Sequence, residues 1–582
     1  MPAEQPQVER IGRPYPSRTN VSQACESCRK RKARCSGDRP ACIACAKQGR
    51  ECVYAEHGDK RRSERSGTGD KSASPGPSVS EASSLVRDDA MAVLTPLGDA
   101  LDEPADDAHD PWGVGELVLS DKGELHSNPE ATLYRPVAVR LVRPHPPEGP
   151  AHYLPCSATY LPIPLDTEQH RLLVELAFTH GLSLGMNAWK MLFIESMMKA
   201  VRNPFYSPAL HMAIVCTGLR YCRDPAVYTR YLADGQGFKD RGMLFLDAAR
   251  REVEKETANP MLSTIMAWLL LCATYVHMSL DELGGQAYAQ GAFMAADFRV
   301  HQQCDEQLKA IKEPLRGMLD MARRDVYGYC LAISGWWAAY YSRPMLPFVD
   351  TPTQHKSRLH GECGPHPTPS HITSHAFQRH SVLSHIMLQV VRCNHGTRMS
   401  ARARAECVAR LRRELEAWRE NMPTCLAWPP PEHELEPISP SVVTLFALYN
   451  ALVIHLLRPY AIERSSRGGL TGPEWGGLVF EDALDTCFLA AAQIIQQVHY
   501  IRDKHGMWAA PSNIQDCIYH ASTILVFEAS GLVPAEPAAV GVALGSLAYG
   551  HQALTELAET WPAAAQAAES IRMLQAQYCV SV

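Results

Sequence analysis

The chain has 582 residues, 46% of them hydrophobic, enough to bury a substantial core and to exclude disorder throughout. Its formal charge of −6 is segregated: the first 65 residues hold fifteen Lys and Arg against eight Asp and Glu, about +7, and the remainder carries about −13. The basic part of an otherwise acidic chain is its N-terminus.

The first twenty residues, MPAEQPQVERIGRPYPSRTN, contain no apolar h-region, so no secretory leader is expected and a reducing, intracellular compartment is the default. In such a compartment clustered cysteines read as metal ligands. Six of the 19 cysteines follow the spacing Cys25-x2-Cys28-x6-Cys35-x6-Cys42-x2-Cys45-x6-Cys52, a C-x2-C-x6-C unit written twice. The other thirteen are scattered singly among apolar segments, where a thiol behaves as a small buried hydrophobe. Zinc takes four tetrahedral ligands, so the two C-x2-C pairs could close one ordinary site and leave Cys35 and Cys52 idle. Their equivalent positions in the two halves argue instead that all six ligate. Six thiolates fill the eight vertices of two tetrahedra only if two sulfurs bridge, which makes two Zn²⁺ the economical solution. The flanking Lys and Arg would offset the cluster's negative charge and help keep its sulfurs deprotonated. With no sizeable apolar core between residues 24 and 54, metal binding should supply most of the folding free energy there.

This spacing, with CRKRKARC spanning the second and third cysteines and Pro40 two residues before the fourth, resembles the fungal six-cysteine binuclear zinc cluster of transcription regulators. The resemblance implies that Cys25 and Cys42 bridge the metals. One ion would take Cys25, Cys28, Cys35 and Cys42, the other Cys42, Cys45, Cys52 and Cys25. It also implies a short helix set in the DNA major groove and carrying Arg29, Lys30, Arg31, Lys32 and Arg34. Lys32 falls on the family's base-contacting lysine, with Arg31 beside it, while Arg29 and Arg34 would meet phosphates. The family reads CGG triplets in double-stranded DNA, and a good Arg or Lys contact to guanine is worth ~1–3 kcal/mol of discrimination. The expected function is a nuclear, sequence-specific regulator of RNA polymerase II transcription that engages the transcription machinery or co-regulators. The alternative is a metabolite-responsive all-helical binding protein whose zinc cluster mediates protein contacts. No coherent catalytic constellation points to an enzyme.

Beyond Tyr54 the sequence turns polar and rich in Gly, Ser and Pro, and 58–130 reads as a disordered, partly acidic linker. Lys60, Arg61 and Arg62 form a second basic cluster suited to nuclear import. Residues 66–110 carry ten Asp and Glu against Lys71 and Arg87, interleaved with Leu, Val and Met, a composition shared by activation segments and solvated linkers. Residues 53–110 show no sustained heptads, so a homodimer through a coiled coil after the cluster is not supported. Dimerisation would fall to the helical domain, or a monomer would bind one triplet.

The rest reads as all-α. The expected plan is a disordered 1–19, the cluster at 20–57, the linker, a helical domain at 131–465 and a C-terminal helical region at 466–582 packed on it. Asp166 is a predicted N-cap, with Leu172, Leu173 and Leu176 on one helix face. Val408, Leu411, Leu415 and Trp418 form a second apolar stripe, and Leu484, Phe488, Ala491, Ile495 and Val498 a third. The apolar run 261–280 has membrane-span length but contains two Ser, two Thr and a His, and reads as a buried core helix. No sustained two-residue alternation marks a strand.

Three segments, LHMAIVCTGLRYC, AYAQGAFMAADFRVHQ and ARRDVYGYCLAISGWWAAYYSRPMLP, resemble in their order the fungal-specific regulatory (middle homology) domain. YNALVIHLLRPY is similar to its later helix ending in His, Arg and Pro. In the third segment Val326, Tyr329, Ile333, Trp336, Trp337 and Tyr340 form a broad helical stripe. Such a stripe is ordinarily core, and Trp336, Trp337 and Tyr340 mark the candidate pocket for a small-molecule effector. GLSLG at 181–185 matches a nucleophile elbow, but it follows a helix, so Ser183 is expected in an interhelical loop. Eight histidines between His355 and His395, among them His371 and His375, read as polar loop residues or, less economically, as a second metal site.

Overall fold

The computed structural model describes residues 26–30, 40–50, 52–53, 117–119, 125–127 and 159–580, the last stretch without 185, 187–188, 200, 303, 305–307, 310, 342–368, 396–398, 430–436, 467–481, 532–535 and 579. Its contacts divide the chain into two units, Met1–Pro104 and Ala105–Val582. Within the first, two short helices are described, α1 (Glu26–Lys30) and α2 (Ile43–Ala46). The coiled-coil question and most of the linker lie outside the described residues. One element there was not anticipated: β1 (Leu117–Leu119) pairs antiparallel with β2 (Leu125–Ser127), Val118 opposite His126. Strands of three residues are too short for alternation to register in the sequence.

In the second unit helices form where caps and apolar periodicity agree. The Asp166 carboxylate accepts from the backbone N–H of Glu168 at 3.0 Å and Gln169 at 3.2 Å, opening α3 (Thr167–Leu176). The face it buries is His170, Leu173 and Val174, with Ala177 beyond the helix, at steps of three and four. Leu172 is 40% exposed, so the expected Leu172–Leu173 pair is split across two faces by the 100° turn per residue. After α4 (Trp189–Met198), Ser207 caps α5 (Pro208–Tyr221), accepting from Leu210 N–H at 3.2 Å with Pro208 pre-set for the first turn. Gly218 lets α5 touch α3: a Cβ there would lie 2.0 Å from the Leu173 carbonyl oxygen.

The chain continues through α6 (Pro225–Tyr228), α7 (Met243–Glu256), α8 (Leu262–His277), α9 (Asp281–Asp297) and α10 (Leu315–Tyr341). Helix α8 is the 261–280 run, buried along nearly all its length. These helices and α3–α5 enclose one apolar core. A second core gathers α11 (Pro369–His395), α12 (Ala401–Glu420), α13 (Pro440–Ser466), α14 (Ala483–Lys504), α15 (Ile514–Ala529), α16 (Pro537–Leu557) and α17 (Ala563–Gln577). On α12, Val408, Leu411, Leu415 and Trp418 are all buried, as the stripe predicts. On α14 the buried line runs through Cys487, Ala491, Ile494, Val498 and Ile501, while Leu484 and Phe488 are only half-buried at its rim. Helix α13 does not end at Pro459 but runs on to Ser466. Its stretch Pro440–Ala461 is long and apolar enough to cross a membrane, and that apolar window is wholly buried as a core helix.

Candidate metal centre and nucleic-acid interface

The short helices of the first unit exist to aim sulfurs. Cys28 sits on α1, and Cys42 caps α2, its thiol sulfur accepting from the backbone N–H of Cys45 at 3.4 Å. The turn after α2 folds back through Gln48 and Arg50 N–H groups, both donating to the Cys45 carbonyl at 3.1 Å, with Gly49 at φ +59°. That reversal delivers Cys52, whose sulfur accepts from Cys42 N–H at 3.2 Å, and Glu26 N–H closes on the Val53 carbonyl at 2.9 Å. Backbone N–H groups pointed at sulfur favour its thiolate form.

The sulfurs of Cys28, Cys42 and Cys45 lie within 4.8 Å of one another, all three buried, and are the one metal-type group found among the described residues. Cys28 and Cys42 are 3.7 Å apart, against ~3.8 Å for the edge of a tetrahedron with ~2.3 Å Zn–S bonds. The donor set therefore fits zinc in both chemistry and spacing. Of the other expected ligands, Cys52 is half-buried beside the three, and Cys25 and Cys35 lie outside the described residues.

Helix α1 carries the start of the basic run. Lys30 is exposed on it and Arg29 occupies its fourth position, while Arg31, Lys32 and Arg34 lie outside the described residues. The second half of the repeat presents only Lys47 and Arg50, both exposed.

In the helical unit, a cavity of about 340 Å³ opens between the two cores. Trp336 and Trp337 line it, together with Tyr329 and Ile333 of the same helix; the side chain of Tyr340 lies outside the described residues. The single stripe expected on α10 is in fact two. Leu319, Ala322, Val326 and Cys330 are fully enclosed in the first core, while Tyr329, Ile333 and Trp336 are half-buried because they face the cavity.

Two decoys resolve here as well. Ser183 follows a helical turn, is buried, and hydrogen-bonds Ser441, with no strand before it. His371 and His375 are not in a loop: α11 spans both, and His375 and His380 are buried on it. Residues that sequence reasoning missed are Asn513, Gln515 and Asp516, at the start of α15, which line the same cavity with His380. Their signal was available as three polar residues interrupting the apolar face of NIQDCIYHASTILVF.

Comparison with known proteins points to the same N-terminal segment. Residues 23–61 match the family model described as the fungal Zn(2)-Cys(6) binuclear cluster domain. Over 43 residues the chain is 46% identical to the sorbicillinoid biosynthetic cluster transcription factor sor3 of Hypocrea jecorina, covering 7% of this chain and 6% of that protein. It is 46% identical over 46 residues to the quinic acid utilization activator of Emericella nidulans, covering 8% and 6%. A longer similarity, 24% over 517 residues, covers 76% of this chain and 45% of the nitrogen assimilation transcription factor nit-4 of Neurospora crassa. The chain thus matches less than half the length of each of these relatives.

Proposed function

We propose that the chain is a zinc-dependent, sequence-specific DNA-binding regulator of RNA polymerase II transcription acting in the nucleus. The observation that carries this reading is the buried sulfur triangle of Cys28, Cys42 and Cys45 at zinc-thiolate spacing, built onto a helix that opens a run of five basic residues. Cys25, Cys28, Cys35, Cys42, Cys45 and Cys52 hold two zinc ions, with Cys25 and Cys42 bridging. Bound zinc supplies the framework that a 30-residue segment without an apolar core lacks. On that framework Lys32, with Arg31, reads the CGG triplet of double-stranded DNA at the guanine O6 and N7 edge, Arg29 and Arg34 neutralise flanking phosphates, and Lys30 belongs to the same DNA-binding run. The helical unit serves as the regulatory part, with a domain at 131–465, a C-terminal region at 466–582 and contacts to co-regulators.

The test is a competition shift assay with the zinc-loaded chain on duplexes containing or lacking CGG. Lys32→Ala is expected to erase the CGG preference, a loss of ~1–3 kcal/mol, while the zinc content stays at the wild-type level. Retained preference in that variant contradicts the assignment of Lys32.

A further inference from the structure

We infer that the cavity between the two cores of the helical unit is a binding site for a small aromatic amine. Its walls are aromatic: Trp336 and Trp337 from α10, Tyr519 from α15, and Trp561 just before α17. At about 340 Å³ it falls at the small end of the range for small-molecule pockets, a size suited to one or two fused rings.

Several of the polar residues that line it carry buried acceptors. His380 and Gln515 are 5% and 6% exposed, and each has one polar atom without a partner, Nε2 of the imidazole and Oε1 of the amide. The His380 Nδ1 lies 3.1 Å from the Leu184 carbonyl and must donate to it, so Nε2 of the neutral ring presents a lone pair. Burial holds that ring neutral, its pKa lowered to about 4. Gln515 Oε1 is a second buried acceptor without a partner. Asn513 Oδ1 is a third acceptor without a partner. Asp516 completes the set: it faces the void, while the surrounding protein pushes its carboxyl up to about 7. Asp516 is the one carboxylate among the described lining residues, and no Lys or Arg is among them. An incoming ammonium pairs with the Asp516 carboxylate, and the aromatic lining favours a cation. A carboxylate or phosphate ligand would find no Lys or Arg among the described lining residues and would face the Asp516 carboxyl.

This inference does not depend on the DNA-binding reading, because its readout is direct. The full-length zinc-loaded chain is titrated with tryptamine, tyramine and benzylamine, and with the matched acids indole-3-acetate, 4-hydroxyphenylacetate and benzoate. Calorimetry and tryptophan fluorescence report binding. At least one amine is expected to bind, at least about tenfold more tightly than its acid counterpart. Asp516→Asn should weaken that amine by at least about tenfold. Ala567→Phe, which fills the cavity from α17, should abolish binding while thermal unfolding remains cooperative. Absence of binding by all three amines, equal binding of amine and acid, or unchanged affinity in both variants overturns the inference.

Discussion

The cysteine segment and the helical unit are stable for different reasons. Among the described residues of the first, the buried apolar atoms are those of the cysteines themselves, Cys28, Cys42 and Cys45, while Ile43 and Val53 are 55% and 47% exposed. A segment that leaves its aliphatic side chains in water has no hydrophobic driving force to speak of, and its fold must come from metal–sulfur bonds. In the helical unit, two extended apolar cores bury leucine, isoleucine, valine and aromatic side chains from nearly every helix. The lesson is that one chain carries two independent sources of stability, and that each should yield to its own perturbation and ignore the other's.

The largest effect should come from removing metal. A strong chelator added to the full chain is expected to abolish binding to CGG duplexes in a shift assay while the thermal midpoint of the helical unit stays where it was. Binding that survives complete zinc removal, checked by metal analysis, would break the comparison at its first member. Next is Leu411→Ala on α12, a fully buried side chain of the second core. It should cost ~2–5 kcal/mol in denaturant unfolding and leave zinc content unchanged.

A smaller effect sharpens the comparison through pH. Asp516 has a folded-state pKa of about 7, raised from 3.8 by burial. Between those values the folded state binds more protons than the unfolded state, so this carboxyl lowers the stability of the wild type as pH rises through that window. Asp516→Asn removes the cost. The variant should be more stable than the wild type at pH 8, by ~1–3 kcal/mol, with the gain fading towards pH 4. A stability difference that does not depend on pH would show that the carboxyl is not held in a low-dielectric wall.

How far the sequence spoke depended on the range of the interaction. Asp166 was legible as a cap because its partners lie two and three residues away, and the Val408 to Trp418 stripe because a single helix face decides it. The thiol spacing was legible for the same reason, and the structure brings Cys28, Cys42 and Cys45 of that pattern together. What failed was anything set by a neighbour distant in sequence. Leu172 and Leu173 have equal hydrophobicity, and only the packing of α3 on α5 at Gly218 decides which of them is buried. The stripe on α10 could not be divided into core and cavity faces without α15 and α17, some 180 and 230 residues further on. His380 looked like a loop residue because α11 is rich in polar side chains, and its burial comes from tertiary contacts, including the Leu184 carbonyl.

The central claim, that metal builds the first unit and apolar burial the second, is tested most directly by hydrogen–deuterium exchange of the full chain with and without chelator. The account predicts that peptides covering residues 25–53 pass to full exchange when zinc is removed, while those covering α8 and α13 keep their protection. Persistent protection of 25–53 in the metal-free chain, or loss of protection in α8 and α13 on chelation, would contradict it.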